Sequence, residues 1–324
     1  MLFRSLFDVS NDAVLFEFGQ DMSGIRRFQS FTIVSVAVFE AILVAVPLRK
    51  LFTMAAGWLA PLLILVTILG FPGGHRGVLV SITGVLVLCL WTQRVWTPIR
   101  LALAGGALGL ALMVTYVVAP SLPLAAQRTL AALPGIQLDA VVVDDARTTL
   151  EGRLVMREIG WQLVPHYLWR GRGFGPSNEQ APFTGHDPWG IITEHVNLGR
   201  FYSGPVGLLV NTGILGTVCM LGMLLTGSWV AMRILVRLRR SGTEDWFSRT
   251  ACVIASDWIV QVAVFFVLHG DSEFAMKTFG LPLGLVLATS ELLARRERAS
   301  NQQDRKSIRL NSSHSSVSRM PSSA

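Results

Sequence analysis

The sequence predicts an all-α polytopic membrane protein with about seven transmembrane helices and one large polar loop between the fourth and the fifth. Of its 324 residues, 51% are hydrophobic and only 15% are charged, and the mean hydropathy is +0.50. Soluble domains carry roughly 25% charged residues, which argues against a water-soluble globule. The abundant apolar residues also argue against a disordered chain. They fall in runs that approach the roughly 20 residues of a membrane-spanning helix.

Seven apolar segments are the candidate spans, and the long polar stretch between them is the candidate functional region. Residues 31–119 are predicted to form four transmembrane helices and residues 205–296 three, with residues 6–30 as an outer segment that leads into the first span. Residues 120–204 form the large loop, which is richer in charge, Gly, Pro and aromatic residues; such insertions often carry function. The candidate spans are residues 31–48, 52–70, 78–91, 101–119, 205–236, 251–268 and 274–294.

Both ends of the chain are predicted to be sequencing-adapter artefacts instead of native segments. Residues 1–5 and most of the cytoplasmic tail 297–324 resemble translated adapter ends, and the tail is Ser-rich without hydrophobic periodicity. The chain is then expected to be a fragment that lacks upstream helices, and a genuine tail would be a disordered extension. Because basic residues are concentrated in these ends, the net charge of +7 predicts no nucleic-acid partner.

Basic residues follow every second span, which gives the predicted orientation. By the positive-inside rule these loops face the cytoplasm, and the large loop faces the opposite side. The basic loops carry, in chain order, Arg49 and Lys50; Arg94 and Arg100; Arg233, Arg237, Arg239 and Arg240; and Arg295, Arg296 and Arg298.

Arginines on the outer side of the membrane are candidate ligands for an anion. Arg76 lies at the outer end of the third span, where it is either a snorkelling anchor or a phosphate ligand. Arg153, Arg157 and Arg172 lie in the large loop. Arg153 directly precedes an amphipathic helix predicted over residues 154–168, and Arg157 lies within it. Each of these is alternatively part of a solvated basic face, but together with Arg76 they would form a pocket for a polyanion.

His195 is the candidate proton acceptor. It lies in Glu194-His195-Val196-Asn197, just before the fifth span. Imidazole is the side chain best suited to accept a hydroxyl proton near neutral pH, although a lone histidine is more often a hydrogen-bonded structural residue. Tyr202 follows seven residues later, which is about two turns if the segment is helical, so both side chains are predicted to face one cavity.

Other chemistries are weakly indicated. The run Gly171–Gly175 follows no strand, so it predicts a turn that returns the chain to the membrane and not a nucleotide site. The Asp144-Asp145 pair has no histidine at ligand spacing and every cysteine lies in an apolar stretch, so no metal is predicted. Glu40, Asp257 and Lys277 are scattered through the spans and leave a transporter or channel as an alternative.

Four motifs follow one another between about Gly24 and Gly216. They are Gly24–Phe31 with Arg26 and Arg27; Arg76-Gly77; Gly152-Arg153 with Trp161, Pro165 and the Gly171, Gly173 and Gly175 turn; and Gly213-Ile214-Leu215-Gly216. Taken in order, these motifs resemble those of the O-antigen ligase / O-antigen polymerase family of bacterial envelope proteins. Each motif is loose, and the resemblance depends on their order and on the side of the membrane that they share.

The resemblance implies transfer of a glycan from a polyprenyl-diphosphate carrier to a glycan or lipid acceptor, at the periplasmic face of the bacterial inner membrane. It implies that Arg76 and Arg153 stabilise the leaving diphosphate and that His195 is the base. No cofactor is expected, because the carrier already activates the sugar. Ligase and polymerase share this donor chemistry and both stay open. The implied substrate-binding residues are Arg27, Arg157, Arg172, Tyr202 and Asn197.

The chain departs from the family pattern at the histidine. The family carries a His-Asn-like pair at a fixed distance before its glycine pair, and an ungapped count reaches Tyr202-Ser203-Gly204-Pro205 instead. His195 with Asn197 is the nearest substitute and lies two helical turns upstream. The alternatives are an active transferase with a shifted register, a non-catalytic membrane protein remnant, or a transporter.

Overall fold

The computed structural model describes residues 29–51, 59–70, 77–95, 106, 109, 113–122, 124–131, 135–174, 190–242, 245–267 and 272–317. All regular secondary structure in these ranges is helical, so the predicted all-α class is confirmed. The helices with described bounds are α1 (Gln29–Ala45), α2 (Leu48–Leu51), α3 (Leu59–Leu69), α4 (Gly77–Thr92), α5 (Leu124–Leu130), α6 (Ala140–Tyr167), α7 (Ile191–Asn197), α8 (Gly204–Ser241), α9 (Trp246–Val267) and α10 (Ser272–Val317). Residues 113–118 are also helical and lead into a 3-10 turn at Ala119–Ser121.

Two helices, α8 and α9, are long and apolar enough to span a membrane. Shorter apolar helices run over Thr32–Ala45 and Gly77–Thr92. Together with α3, α10 and the helical residues 113–118, these helices overlap all seven predicted spans. About half of the span at 101–119 lies outside the described residues. The number of seven spans and the side on which the large loop lies stay predictions.

Helix α9 lies at the centre of the apolar core. It packs against α8, α4, α10 and α1, and its side chains share one buried cluster with all four helices. Gly227 permits α8 to approach α9 closely, because a Cβ at this position would lie 2.4 Å from Cζ2 of Trp258. Nε1 of Trp258 donates to the Ser228 hydroxyl at 3.2 Å across the same contact. Small residues at helix crossings permit this separation between backbones.

Hydrogen bonds from polar side chains join the helices at one end of this bundle. Arg249, near the start of α9, donates from Nε to the carbonyl of Val44 at 2.6 Å and from Nη2 to that of Ala45 at 3.3 Å. Oε1 of Gln93, just after α4, accepts the amide of Leu48 at 2.9 Å. A cation at a helix C-terminus satisfies its unpaired carbonyls. The C-terminal ends of α1 and α4 and the N-terminal end of α9 therefore lie together. This is the end of the bundle that is predicted to face the cytoplasm.

Helix α10 continues well past the predicted last span, to Val317. The expectation of a disordered extension is wrong for residues 297–317, which are helical. The Ala, Arg, Glu and Gln residues that follow the apolar stretch favour helix. Nε of Arg295 also pairs with Oε1 of Glu291 one turn earlier, at 2.9 Å, which supports the helix locally.

The described part of the large loop is mostly helical, and α6 is longer than predicted. Helix was predicted over residues 154–168, whereas α6 begins at Ala140. The Asp139 side chain caps its start by accepting the amide of Val141 at 2.9 Å. The Asp144-Asp145 pair therefore lies inside the helix and not in the segment before it.

A buried ion pair holds α5 against α6. Nε of Arg128 forms an ion pair with Oδ2 of Asp145, and Nη2 of Arg128 donates to the Thr149 hydroxyl at 3.1 Å. All three side chains are buried. The Thr149 hydroxyl in turn donates to the Asp145 carbonyl at 2.7 Å, so both charged groups lie in one connected network. Removing either charge would leave the other buried without its counter-ion.

We expect Arg128→Ala to lower the free energy of unfolding by about 3–5 kcal/mol, because Asp145 loses its counter-ion in a buried site. Arg147→Ala is the matched control: it removes an exposed ion pair with Glu151 on the same helix and should cost less than about 0.5 kcal/mol. Thermal unfolding of the detergent-purified variants measures the difference. Equal melting temperatures for the two variants would contradict the structural role of the buried pair.

Candidate functional site

The candidate site forms where α6, α7 and the first turns of α8 meet. Ile159 of α6, Val196 of α7 and Val206 of α8 belong to one buried apolar cluster. Gly160 permits this contact, because a Cβ there would lie 2.6 Å from Cγ1 of Val206 and 2.9 Å from Cδ1 of Phe201. The elements that carry the predicted polar residues are therefore packed into one unit.

His195 lies on α7 and is buried, with 4% of its surface exposed. Its carbonyl accepts the amide of Arg200 at 2.8 Å, which closes the turn after α7. Its ring centroid lies 5.7 Å from that of Tyr202, with the ring planes tilted by 30°, a separation typical of aromatic contacts. A turn and not continuous helix brings the two rings close together, since α7 ends at Asn197. The cavity that both were predicted to face stays a prediction.

Arg153 and Tyr202 form the second contact of the site. The guanidinium carbon of Arg153 lies 5.1 Å from the Tyr202 ring centroid, within cation–π range. Nε of Arg153 is buried and has no hydrogen-bond partner among the described residues. Tyr202 has a φ of 48°, which is uncommon for a residue with a Cβ and persists only where the surroundings enforce it. Tyr202 thus contacts both the predicted base and a predicted phosphate ligand.

Arg172 holds the end of α7 in place. Its Nη1 donates to the carbonyl of Val196 at 2.6 Å, and its Nη2 donates to the carbonyl of Asn197. A cation at this position also complements the negative end of the helix. Partial burial lowers the pKa of the Arg172 guanidinium from its usual value, because desolvation disfavours the charged form. In this arrangement Arg172 positions the helix that carries His195.

The glycine turn after α6 docks on a break in α8. Gly171 has a φ of +71°, and Gly213 has a φ of +67° and a ψ of −173°, which interrupts the helix. A Cβ on Gly171 would lie 2.6 Å from the Asn211 carbonyl oxygen and 2.7 Å from the Gly213 nitrogen. Only glycine fits where two backbones approach so closely with positive φ.

Backbone hydrogen bonds join the turn to the break. The Arg172 amide donates to the Val210 carbonyl at 2.7 Å, and the Ile214 amide donates to the Leu168 carbonyl at 2.6 Å. The break in α8 frees backbone groups that an unbroken helix would pair internally, and the turn satisfies them. The two glycine motifs singled out in the sequence are therefore one structural unit.

The remaining predicted site residues are less closely joined to this cluster. Arg157 is exposed on α6, one turn after Arg153. Asn197 is half-buried at the end of α7, where its carbonyl accepts from Arg172. Arg27 and Arg76 lie outside the described residues, and their predicted roles stay predictions.

Asn211 was not predicted as part of the site. It is buried on α8, and its Nδ2 donates to the Gly199 carbonyl at 3.0 Å, which anchors the segment between His195 and Tyr202. Gly199, with a φ of +75°, has no room for a Cβ beside the Asn211 side chain. An amide in an otherwise apolar helix was the available signal, because a buried polar group requires a partner. No spacing in the sequence connects it with residue 199.

The described side chains are suited to anion binding and proton transfer. Arg153 offers a planar guanidinium for oxygen ligands, and His195 offers an imidazole for a proton. No three His, Cys, Asp or Glu side chains in the described parts of the chain are placed to hold a metal ion.

The fold and the site together define an all-helical protein with two helices of membrane-spanning length and an Arg–Tyr–His cluster beside the first of them. No family model matches this chain, and no curated protein or solved structure matches it either.

We expect Gly171→Ala to destabilise the protein strongly. The positive φ costs roughly 1–2 kcal/mol for a residue with a Cβ, and the added carbon overlaps the backbone of α8. Gly173→Ala is the control that carries only the cost of the positive φ, since Gly173 has a φ of +87° but nothing within 4 Å of a Cβ. Melting temperatures of the two variants test the docking: a drop no larger for Gly171→Ala than for Gly173→Ala would argue against it.

Proposed function

We propose that this chain is an O-antigen ligase-like or polymerase-like glycosyltransferase. It transfers a glycan from a polyprenyl-diphosphate carrier to an acceptor hydroxyl. The observation that carries the proposal is the contact of both Arg153 and His195 with Tyr202. This contact brings a cation for the leaving diphosphate and a base for the acceptor to one aromatic side chain.

The proposed topology has seven spans in the bacterial inner membrane, with the site on the periplasmic side. The site packs on α8 near Gly213, whereas Arg239 and Arg240 lie in the last turn of the same helix. At 1.5 Å per residue, Gly213 and Arg239 are about 39 Å apart, which exceeds the roughly 30 Å of bilayer hydrocarbon. The positive-inside rule assigns the basic end to the cytoplasm, which supports a site on the opposite face.

Arg153 binds the diphosphate in this proposal. Its guanidinium matches the geometry of phosphate oxygens, and its buried Nε is a donor that no described residue uses. As the bond between the sugar and the carrier breaks, the bonding electrons move to the diphosphate oxygen. A fixed cation beside that oxygen stabilises the growing charge. We expect Arg76, Arg27 and Arg157 to add further cations for the substrate phosphates.

His195 is the base in this proposal. It removes the proton of the acceptor hydroxyl while the acceptor oxygen forms its bond to the anomeric carbon and the diphosphate leaves. A single displacement of this kind inverts the anomeric centre. The burial of His195 limits access of bulk water, which favours transfer to the acceptor over hydrolysis. Tyr202 and Asn197 contact the substrate at either end of the turn after α7.

The position of Tyr202 supports an active site with a shifted register. Tyr202 stands where an ungapped count from Gly213 reaches the family's histidine, and the His195 ring lies 5.7 Å from it. The imidazole therefore reaches the same region from the preceding helix. This proximity favours a transferase over a remnant that has lost its base.

We expect Arg153→Ala to reduce glycan transfer by about 10²–10³-fold, the scale of losing one preorganised charge-stabilising donor. Arg153→Lys keeps the charge but loses the planar fork, so an intermediate rate is expected. The assay follows a labelled glycan from a polyprenyl-diphosphate donor to a hydroxyl acceptor in proteoliposomes that contain the full chain. Arg147→Ala, exposed on the same helix, is the control and should keep the parent rate.

We expect His195→Ala to lower turnover by about 10²–10⁴-fold, because it removes general-base catalysis. Melting temperatures equal to that of the parent show that the loss is chemical. If neither His195→Ala nor Tyr202→Ala changes turnover, this cluster is not the active site. Full activity of both Arg76→Ala and Arg153→Ala would refute the proposed contact with the diphosphate.

A further inference from the structure

A basic groove lies at the end of α8 that is remote from the candidate site. It has a volume of about 590 Å³ and lies between the last turns of α8 and the side of α10. The residues that define this basic groove are Trp229, Met232, Arg233, Arg237, Arg240 and Glu297.

The groove changes from apolar to cationic along α8. Trp229 and Met232 lie at the end of the groove farthest from the C-terminus of α8. Their side chains are 55% and 42% exposed, which is high for apolar side chains of this size. Arg233, Arg237 and Arg240 follow at spacings of four and three residues, so they share one face of the helix. From Trp229 to Arg240 the groove runs about 16 Å along the helix axis. This order, apolar and then cationic, is the order of groups in a phospholipid from chain to headgroup.

The arginines are arranged by their neighbours in the groove. The Arg233 guanidinium carbon lies 3.5 Å from the Trp229 ring centroid, so its charge stacks on the indole. Nε of Arg237 pairs with Oε1 of Glu297 on α10 at 3.2 Å. Arg240 is exposed at the end of the groove nearest the C-terminus of α8. The lining contains three guanidinium groups and a single carboxylate, which leaves the groove with a net positive charge.

We propose that this basic groove binds an anionic phospholipid of the cytoplasmic leaflet. Arg237 and Arg240 hold the phosphate through charge-assisted hydrogen bonds, and the acyl chain covers Met232 and Trp229. A soluble anion would satisfy the arginines but would leave the indole and thioether exposed. Basic pockets between helices on the cytoplasmic side bind acidic lipid headgroups by the same physics. The proposal depends on membrane insertion of α8 and not on glycan transfer.

The test compares lipid binding by matched double variants of the full chain in a neutral detergent. The probe is tetraoleoyl cardiolipin, titrated by native mass spectrometry and by the shift in melting temperature, with phosphatidylcholine as the neutral lipid. We expect Arg237→Ala with Arg240→Ala to raise the dissociation constant at least about tenfold, because two of the three charges are lost. Arg295→Ala with Arg298→Ala removes the same charge from α10 outside the groove and should leave binding unchanged.

Arg240→Glu gives a second variant at an exposed helix end, where a folding defect is least expected, and it should also weaken cardiolipin binding. Equal affinity of the parent and both groove variants for cardiolipin would overturn the proposal, as would equal affinity of the parent for phosphatidylcholine. Stabilisation by inorganic phosphate alone that matches the effect of cardiolipin would assign the groove to a soluble anion instead. Glycan transfer is not measured, so failure here is distinguishable from failure of the proposed enzyme activity.

Discussion

The candidate site depends on one backbone contact, the docking of the turn at Gly171 onto the break in α8 at Gly213. The break exposes carbonyl and amide groups in an otherwise apolar helix, and the turn supplies their partners. Three backbone hydrogen bonds join the two segments. They matter because unpaired backbone groups in apolar surroundings are costly. Arg172 leaves the same turn and bonds the end of α7, so the contact also fixes the helix that carries His195.

The packing of the bundle around α9 and the length of α8 separate the candidate site from the basic groove. Helix α9 fills the core and holds α1, α4, α8 and α10 around it, while Arg249 ties its first turn to the carbonyls of Val44 and Ala45. Helix α8 runs from one region to the other. Its break lies close to the candidate site and its arginines lie at the far end, so one helix connects two regions with different chemistry.

Much of the fold was predictable, but less of the site. Apolar runs predict the helices, because a helix buried in a core or a bilayer requires apolar side chains. These runs do not predict the helix cap and the ion pair that support the longer α6 and α10. The chemistry of His195, Tyr202 and Arg153 makes them predictable site residues, and the structure brings them together. The backbone bonds of Arg172 and the buried pair of Arg128 with Asp145 have no local signature, since their partners are 17 or more residues away.

The sequence by itself determined that this chain is helical and apolar, where its apolar helices lie, and which side chains have the chemistry for an anion and a proton. These properties depend on composition and on local spacing. Only the tertiary structure decided that two glycine motifs form one contact, that Tyr202 contacts both a cation and an imidazole, and that arginines at the end of α8 line a groove with α10. Those arrangements join residues from different helices, and their energies come from close packing and paired buried groups that no single segment contains.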